Sequence, residues 1–160
     1  MNNKMTGKHI FSLLEGTWAG EGRGEFPGVT SFDFRERLVF TRRDDKSLAY
    51  EERAQKRYDG QTEWLVSHWE SGFMRVLENS ELELVSAQIG RSEVLIGSIE
   101  TLDTMIRIHL VSKTIANDPR MISSMRMFEL EADTLRYEMG MHTTKVERLT
   151  PHIRITLQRV

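Results

Sequence analysis

Hydrophobic residues in this chain recur at every second position, and that period constrains the fold more than any other feature. In SFDFRERLVF, Phe32, Phe34, Leu38 and Phe40 share one phase, while Ser31, Asp33, Arg35 and Arg37 take the other. In TMIRIHLVS, Ile106, Ile108 and Leu110 align against Arg107 and His109, and in TLRYEMGM, Leu135, Tyr137, Met139 and Met141 align against Arg136 and Glu138. A strand with one buried and one wet face has this alternation, because successive side chains leave it on opposite sides. ELELVSAQ, SEVLIGSIE and MRMFELEAD behave similarly. Turn-forming groups separate the runs: Asp44-Asp45, Asp59-Gly60, Glu78-Asn79-Ser80, Gly90-Arg91, Asn117-Asp118-Pro119 and Ala132-Asp133. Only HIFSLLEG reads as helix, with Ile10, Phe11, Leu13 and Leu14 on a short amphipathic turn ended by Gly16. The expectation is an all-β, antiparallel up-and-down β-barrel of ten strands with a short N-terminal helix. A closed barrel leaves no free edge and can enclose a ligand.

Length and charge narrow the function classes. The 160 residues suit one domain over 1–160, with 1–8 expected as a loose terminus. A formal charge of −2 gives no basic footprint for nucleic acid. No apolar run approaches the roughly 18 residues of a membrane span, and MNNKMTGKHIF lacks the apolar core of a signal peptide. Cysteine is absent, which excludes disulfides, thiol nucleophiles and thiolate metal sites. Together these features suggest a cytoplasmic protein that binds neither nucleic acid nor membrane.

Three groups of residues could carry chemistry. GTWAGEGRGEFPG places Gly16, Gly20, Gly22, Gly24 and Gly28 around Trp18, without the strand–helix context of a phosphate loop. The better reading is a sharply bent first strand with Trp18 plugging the barrel floor. The histidines His9, His68, His109, His142 and His152 form no close-spaced metal pair. On the residues alone, each reads as a surface or structural histidine. The methionines Met121, Met125, Met127, Met139 and Met141 read as core filler, or as a soft lining for a flat apolar ligand.

Four stretches, in order, resemble the nitrobindin family, heme-binding ten-stranded barrels related in shape to fatty-acid-binding proteins and lipocalins. The first is LLEGTWAGEG, a GxWxGxG pattern at Gly16, Trp18, Gly20 and Gly22; the second is FPGVTSFDFRERLVF with LAYEER. The third, HWESGFMRV, has the pattern at His68, Glu70, Gly72, Phe73 and Arg75. The fourth is LRYEMGMHTTKVERLTPHIRITLQR. The resemblance implies a b-type heme whose iron is held by His152, with His68 near the distal side. It also implies Met141 and Phe40 flanking the porphyrin and Arg120 beside a propionate. Nitric oxide and peroxynitrite are the implied small ligands, with isomerisation of peroxynitrite to nitrate as the implied activity. Tyr50-Glu51-Glu52 puts carboxylates where the family usually has small polar groups. A regular final strand would turn His152 outward with Arg154, Thr156 and Gln158; a bulge after Pro151 would turn it inward. The competing expectations are a non-heme carrier of a fatty acid or other apolar small molecule, or a filled barrel serving as an interaction module. A homodimer through an outer face is plausible on symmetry grounds.

Overall fold

The computed structural model describes residues 7–160. The expectation of a loose terminus over 1–8 falls mostly outside them. Helix α1 (Gly7–Leu14) is followed by ten strands: β1 (Gly16–Phe26), β2 (Val29–Arg42), β3 (Ser47–Arg57), β4 (Leu65–Val76), β5 (Leu82–Gln88), β6 (Arg91–Leu102), β7 (Met105–Ala116), β8 (Met121–Glu131), β9 (Thr134–Thr143) and β10 (Thr150–Arg159). Each strand pairs antiparallel with the next, and β1 pairs with β10, so the sheet closes on itself. This is the all-β ten-stranded barrel expected from the alternation, and each of the six turn signals falls at a junction of consecutive strands, Arg91 being the first residue of β6. No described helix is long and apolar enough to cross a membrane.

One end of the barrel is plugged. Ile10, Phe11 and Leu14 are fully buried, which stabilises the fold by about 1.5–3 kcal/mol per side chain. Trp18 is fully buried beneath them and donates from Nε1 to the Leu14 carbonyl at 2.9 Å. Arg159, at the end of β10, stacks over the Trp18 ring at 4.2 Å. Its guanidinium also donates to the carbonyls of Leu13 (2.7 Å) and Glu15 (2.6 Å). Those carbonyls close α1, where no further helical turn exists to satisfy them. Trp18 therefore fills the floor, as the glycine-rich segment suggested.

The inward-facing side chains change character along the barrel axis. On β2 they run Phe32, Phe34, Glu36, Leu38 and Phe40 from the open end towards the plugged end, and all are buried. Apolar layers thus enclose a polar one. The open end is formed where β1 finishes and β10 begins.

The candidate ligand site at the barrel mouth

Two backbone irregularities meet at the mouth. The β1–β10 ladder runs regularly to the pair Gly24–Ile153, so Glu25 and His152 come next in line. The β1–β2 register shifts between Gly24 and Phe26, and the β10–β9 register shifts between Pro151 and Ile153. His152 occupies the second bulge. Ile155 and Leu157 keep the inward phase further along β10, and His152 escapes the outward phase that strict alternation would assign it.

The ring is half-buried and held on three sides. Phe26 meets it edge-on at 5.3 Å and Phe32 at 6.2 Å. His152 Nδ1 lies 3.1 Å from the carbonyl oxygen of Glu25. A carbonyl only accepts, so Nδ1 carries the proton and Nε2 keeps its lone pair. Burial pushes the imidazole below its ordinary pKa, outweighing the upward pull of the Glu25 hydrogen bond. A neutral imidazole with an oriented, unpaired Nε2 is the donor that a heme iron needs. The residues therefore fit that group.

Glycines let the phenylalanines reach this position. A Cβ on Gly24 would sit 2.3 Å from the Phe32 ring, and one on Gly22 would lie 2.6 Å from the Arg154 carbonyl and 3.0 Å from the Phe34 ring. Only hydrogen fits there, so the Phe32 and Phe34 rings can sit against the β1 backbone.

The other expected site residues are distributed unevenly. His68, on β4, faces inward near the same end, and its charge contributes to the field at His152. Met141 pairs across β9–β10 with Thr150, next to the bulge, and is half-buried. Arg120 lies on the rim between β7 and β8, with its guanidinium engaged by Asp118 at 2.9 and 3.1 Å. Phe40 lies deep instead, opposite Gly16 and in ring contact with Tyr50 and Phe128. The structure does not bring it to His152; Phe26 and Phe32 are the aromatic neighbours there. Of the methionines, Met139 packs on the core, whereas Met125 and Met127 alternate with the buried Ser124, Arg126 and Phe128. His9 and His109 are exposed.

Below the mouth lies a buried polar cluster that the sequence reading left unassembled. Arg126, fully buried, grips Glu70 through both terminal nitrogens; Nη1 meets Oε1, and Nη2 donates to Oε2 at 3.1 Å. The same Nη2 donates to Glu93 at 2.9 Å, and Ser124 donates to the other Glu93 oxygen at 2.9 Å. Tyr50 donates to Glu70 at 2.7 Å. His68 Nε2 lies 3.2 Å from Glu70 and 3.8 Å from Glu52. Burial opposes charge on Glu70, but Arg126 and the hydrogen bonds from His68 and Tyr50 outweigh it and hold the carboxylate ionised.

Glu36 and Glu52 have no such support. Both are buried, and neither Glu36 oxygen has a hydrogen-bond partner. Burial, then repulsion from Glu70, pushes the Glu36 carboxyl up to about 8. Glu52 is raised by burial and by both neighbouring carboxylates. Outside the barrel wall over this cluster, a groove of about 990 Å³ is lined chiefly by the outward-facing Arg35, Arg37, Arg53, Val66 and Trp69, with Glu36, Ala54 and His68 contributing from the strands beneath. A signal for this cluster was present in the sequence: Glu36 and Arg126 occupy the apolar phase of otherwise regular strands.

Comparison with known proteins places the barrel in a family. Residues 9–159 match the family described as THAP4-like, heme-binding beta-barrel domain. A peroxynitrite isomerase of Arabidopsis thaliana is 32% identical over 150 residues, covering 93% of this chain and 86% of the relative. One from Nocardia farcinica is 31% identical over 150 residues, covering 91% and 86%. The crystal structure of Rv2717c from M. tuberculosis superposes with a TM-score of 0.84 at 26% identity, covering 98% of each chain. The chain belongs to the THAP4-like heme-binding β-barrel family.

Proposed function

We propose that the mouth holds a b-type heme through His152 Nε2 and that the loaded protein takes up nitric oxide and isomerises peroxynitrite to nitrate. The observation that carries this reading is the His152–Glu25 contact at 3.1 Å, which fixes the tautomer and leaves Nε2 free. The heme type follows from composition: with no cysteine, the chain cannot form the thioether attachments of a c-type heme. The activity is suggested by relatives that carry the name peroxynitrite isomerase.

When bound, the iron supplies an open coordination position for a small nitrogen-oxide ligand; the barrel supplies the surroundings. His152 would hold the iron, and its neutral state would keep a proton from competing for Nε2. Phe26 and Phe32 shield the imidazole from water. His68, facing inward near the same end, would offer a hydrogen bond to a small nitrogen-oxide ligand. Met141 and Arg120 are candidates for the porphyrin edge and a propionate, the latter after exchanging Asp118 for the ligand. The charged cluster below the mouth is a poor lining for an acyl chain, since buried ionised groups exclude apolar ligands.

Titration with hemin tests the assignment. Wild-type protein is expected to give a one-to-one Soret band that His152→Ala does not reproduce, and external imidazole is expected to restore part of it. An unchanged band in His152→Ala removes the ligand assignment. Faster nitrate formation from peroxynitrite by the loaded protein than by free hemin tests the activity.

A further inference from the structure

Four glutamates share the barrel interior, and the nearby cations are already committed. Arg126 spends both Nη groups on Glu70 and Glu93. Arg91, almost buried, pairs with Glu93 at 3.1 Å and with Asp118 at 3.7 Å. Gln88 adds a further donor to Glu93 at 3.2 Å. Among the described residues, that leaves only His68 for Glu52, and no cation in hydrogen-bond or ion-pair contact with Glu36.

The flanks of Glu36 explain its isolation. Its cross-strand neighbours are Gly20 on β1 and Ala54 on β3, so no side chain on either side can donate to it. His68 is the next residue along the same row, opposite Ala54. Glu52 stands one inward position from Ala54 on β3 and within 3.8 Å of His68. Glu52 thus stands beside His68, while Ala54 separates Glu36 from His68 along the row, and all three face the barrel interior. Tyr50 and Tyr137 face the cluster from β3 and β9 and Ser86 from β5; β7 and β10 contribute the apolar Ile108, Leu110, Ile155 and Leu157. Burying these two carboxyls with a single histidine, 3.8 Å from Glu52, favours their protonated forms, because a buried charge without a close partner is costly.

Resting on the assignment of the mouth as a heme site, we infer that Glu36 and Glu52, acting through His68, make the barrel mouth bind small anions together with a proton. The acids are positioning residues: Glu52 stands 3.8 Å from His68, Glu36 acts on Glu52 through its charge, and neither touches the ligand. While both hold protons, the carboxylates of Glu70, Glu93 and Asp118 are matched by Arg126, Arg91 and Arg120, and an incoming anion meets no net negative field. Loss of a proton from either acid places a bare carboxylate beneath the ligand and repels it. The net event is anion plus one solvent proton in, with no bond to a carboxylate formed or broken. The mouth thus selects small oxyanions below the titration of this pair and rejects them above it.

Azide and nitrite binding to hemin-loaded protein, followed spectrally between pH 6 and 9, tests the coupling. Wild-type affinity is expected to fall up to about tenfold per pH unit on the alkaline side, the slope of one linked proton. In the Glu36→Gln/Glu52→Gln variant that limb flattens, leaving only the titration of His68. An unchanged alkaline limb in the variant overturns the inference. A second readout needs no heme: infrared spectra of apo protein carrying ¹³C-glutamate should show a protonated carboxylic-acid C=O band above pH 6 that Glu36→Gln diminishes. Absence of that band overturns the inference while leaving hemin binding intact. A band present in protein that takes up no hemin overturns the heme reading, and the anion coupling with it.

Discussion

The Nδ1 atom of His152 and the carbonyl oxygen of Glu25, 127 residues apart in sequence, lie 3.1 Å apart where two strand irregularities coincide. Each bulge alone would break the ladder at its own strand pair. Together they remove one backbone pairing and replace it with a side-chain hydrogen bond that aims the ring.

That bond and the burial around it fix a pH dependence. His152 is held below its ordinary value of 6.5, so the folded ring stays neutral where a free histidine would already be charged. Hemin retention is expected to stay level as pH falls to about that value and to weaken only at lower pH. The depressed value also means that the unfolded chain binds this proton first, so His152 costs stability as pH falls below 6.5. Gel filtration of loaded protein across the acid range checks the first point; release centred at or above 6.5 would contradict it.

Gly24→Ala is expected to displace the Phe32 ring, because the added methyl would stand 2.3 Å from it. Overpacking of this kind costs about 1–3 kcal/mol. Chemical denaturation should report that loss, and hemin affinity should fall with it, since Phe32 is one wall of the His152 pocket.

The buried cluster gives opposite pH signatures for two of its members. Glu70 is held ionised, so its contribution is full above the unfolded carboxyl value and is lost as pH falls through it towards the lower folded value. Glu36 is held neutral, so its burden is absent below 4.5 and grows as pH rises towards 8. Glu36→Gln should therefore raise the melting temperature at pH 8 and change it little at pH 5. Arg126→Met should destabilise by about 3–5 kcal/mol at neutral pH, because it strands two carboxylates. Melting curves at the two pH values decide both; a Glu36→Gln effect independent of pH would show that Glu36 is not titrating.

Arg159→Leu is expected to lose about 1–3 kcal/mol, since it leaves the Leu13 and Glu15 carbonyls without their donor and uncovers Trp18. Hemin stoichiometry should be unaffected, because the change lies at the plugged end. Urea unfolding paired with a hemin titration separates the two effects.

The barrel was legible because alternation is a local property: Phe32, Phe34, Leu38 and Phe40 declare one buried face without reference to any partner strand. The orientation of His152 was not, since simple alternation points it outward and only the pairing of β10 with β9 and β1 reveals the bulge. Phe40 illustrates a related limit. Its phase is correct, but its depth along the axis depends on register, which places it eight residues along β1 from Gly24. Glu36 and Arg126 broke the apolar phase of their strands, yet the partners of Arg126 lie on strands far away in sequence and Glu36 has none at hydrogen-bond distance. A charge in a buried phase marks a site, and only the closed sheet shows whether a partner reaches it.

Crystals grown with hemin, with data collected at the iron edge, test the central assignment most directly. The expected result is a single anomalous peak within bonding distance of His152 Nε2, with Nδ1 still on the Glu25 carbonyl. An iron peak held by His68 or by any other side chain, with His152 unligated, would contradict it.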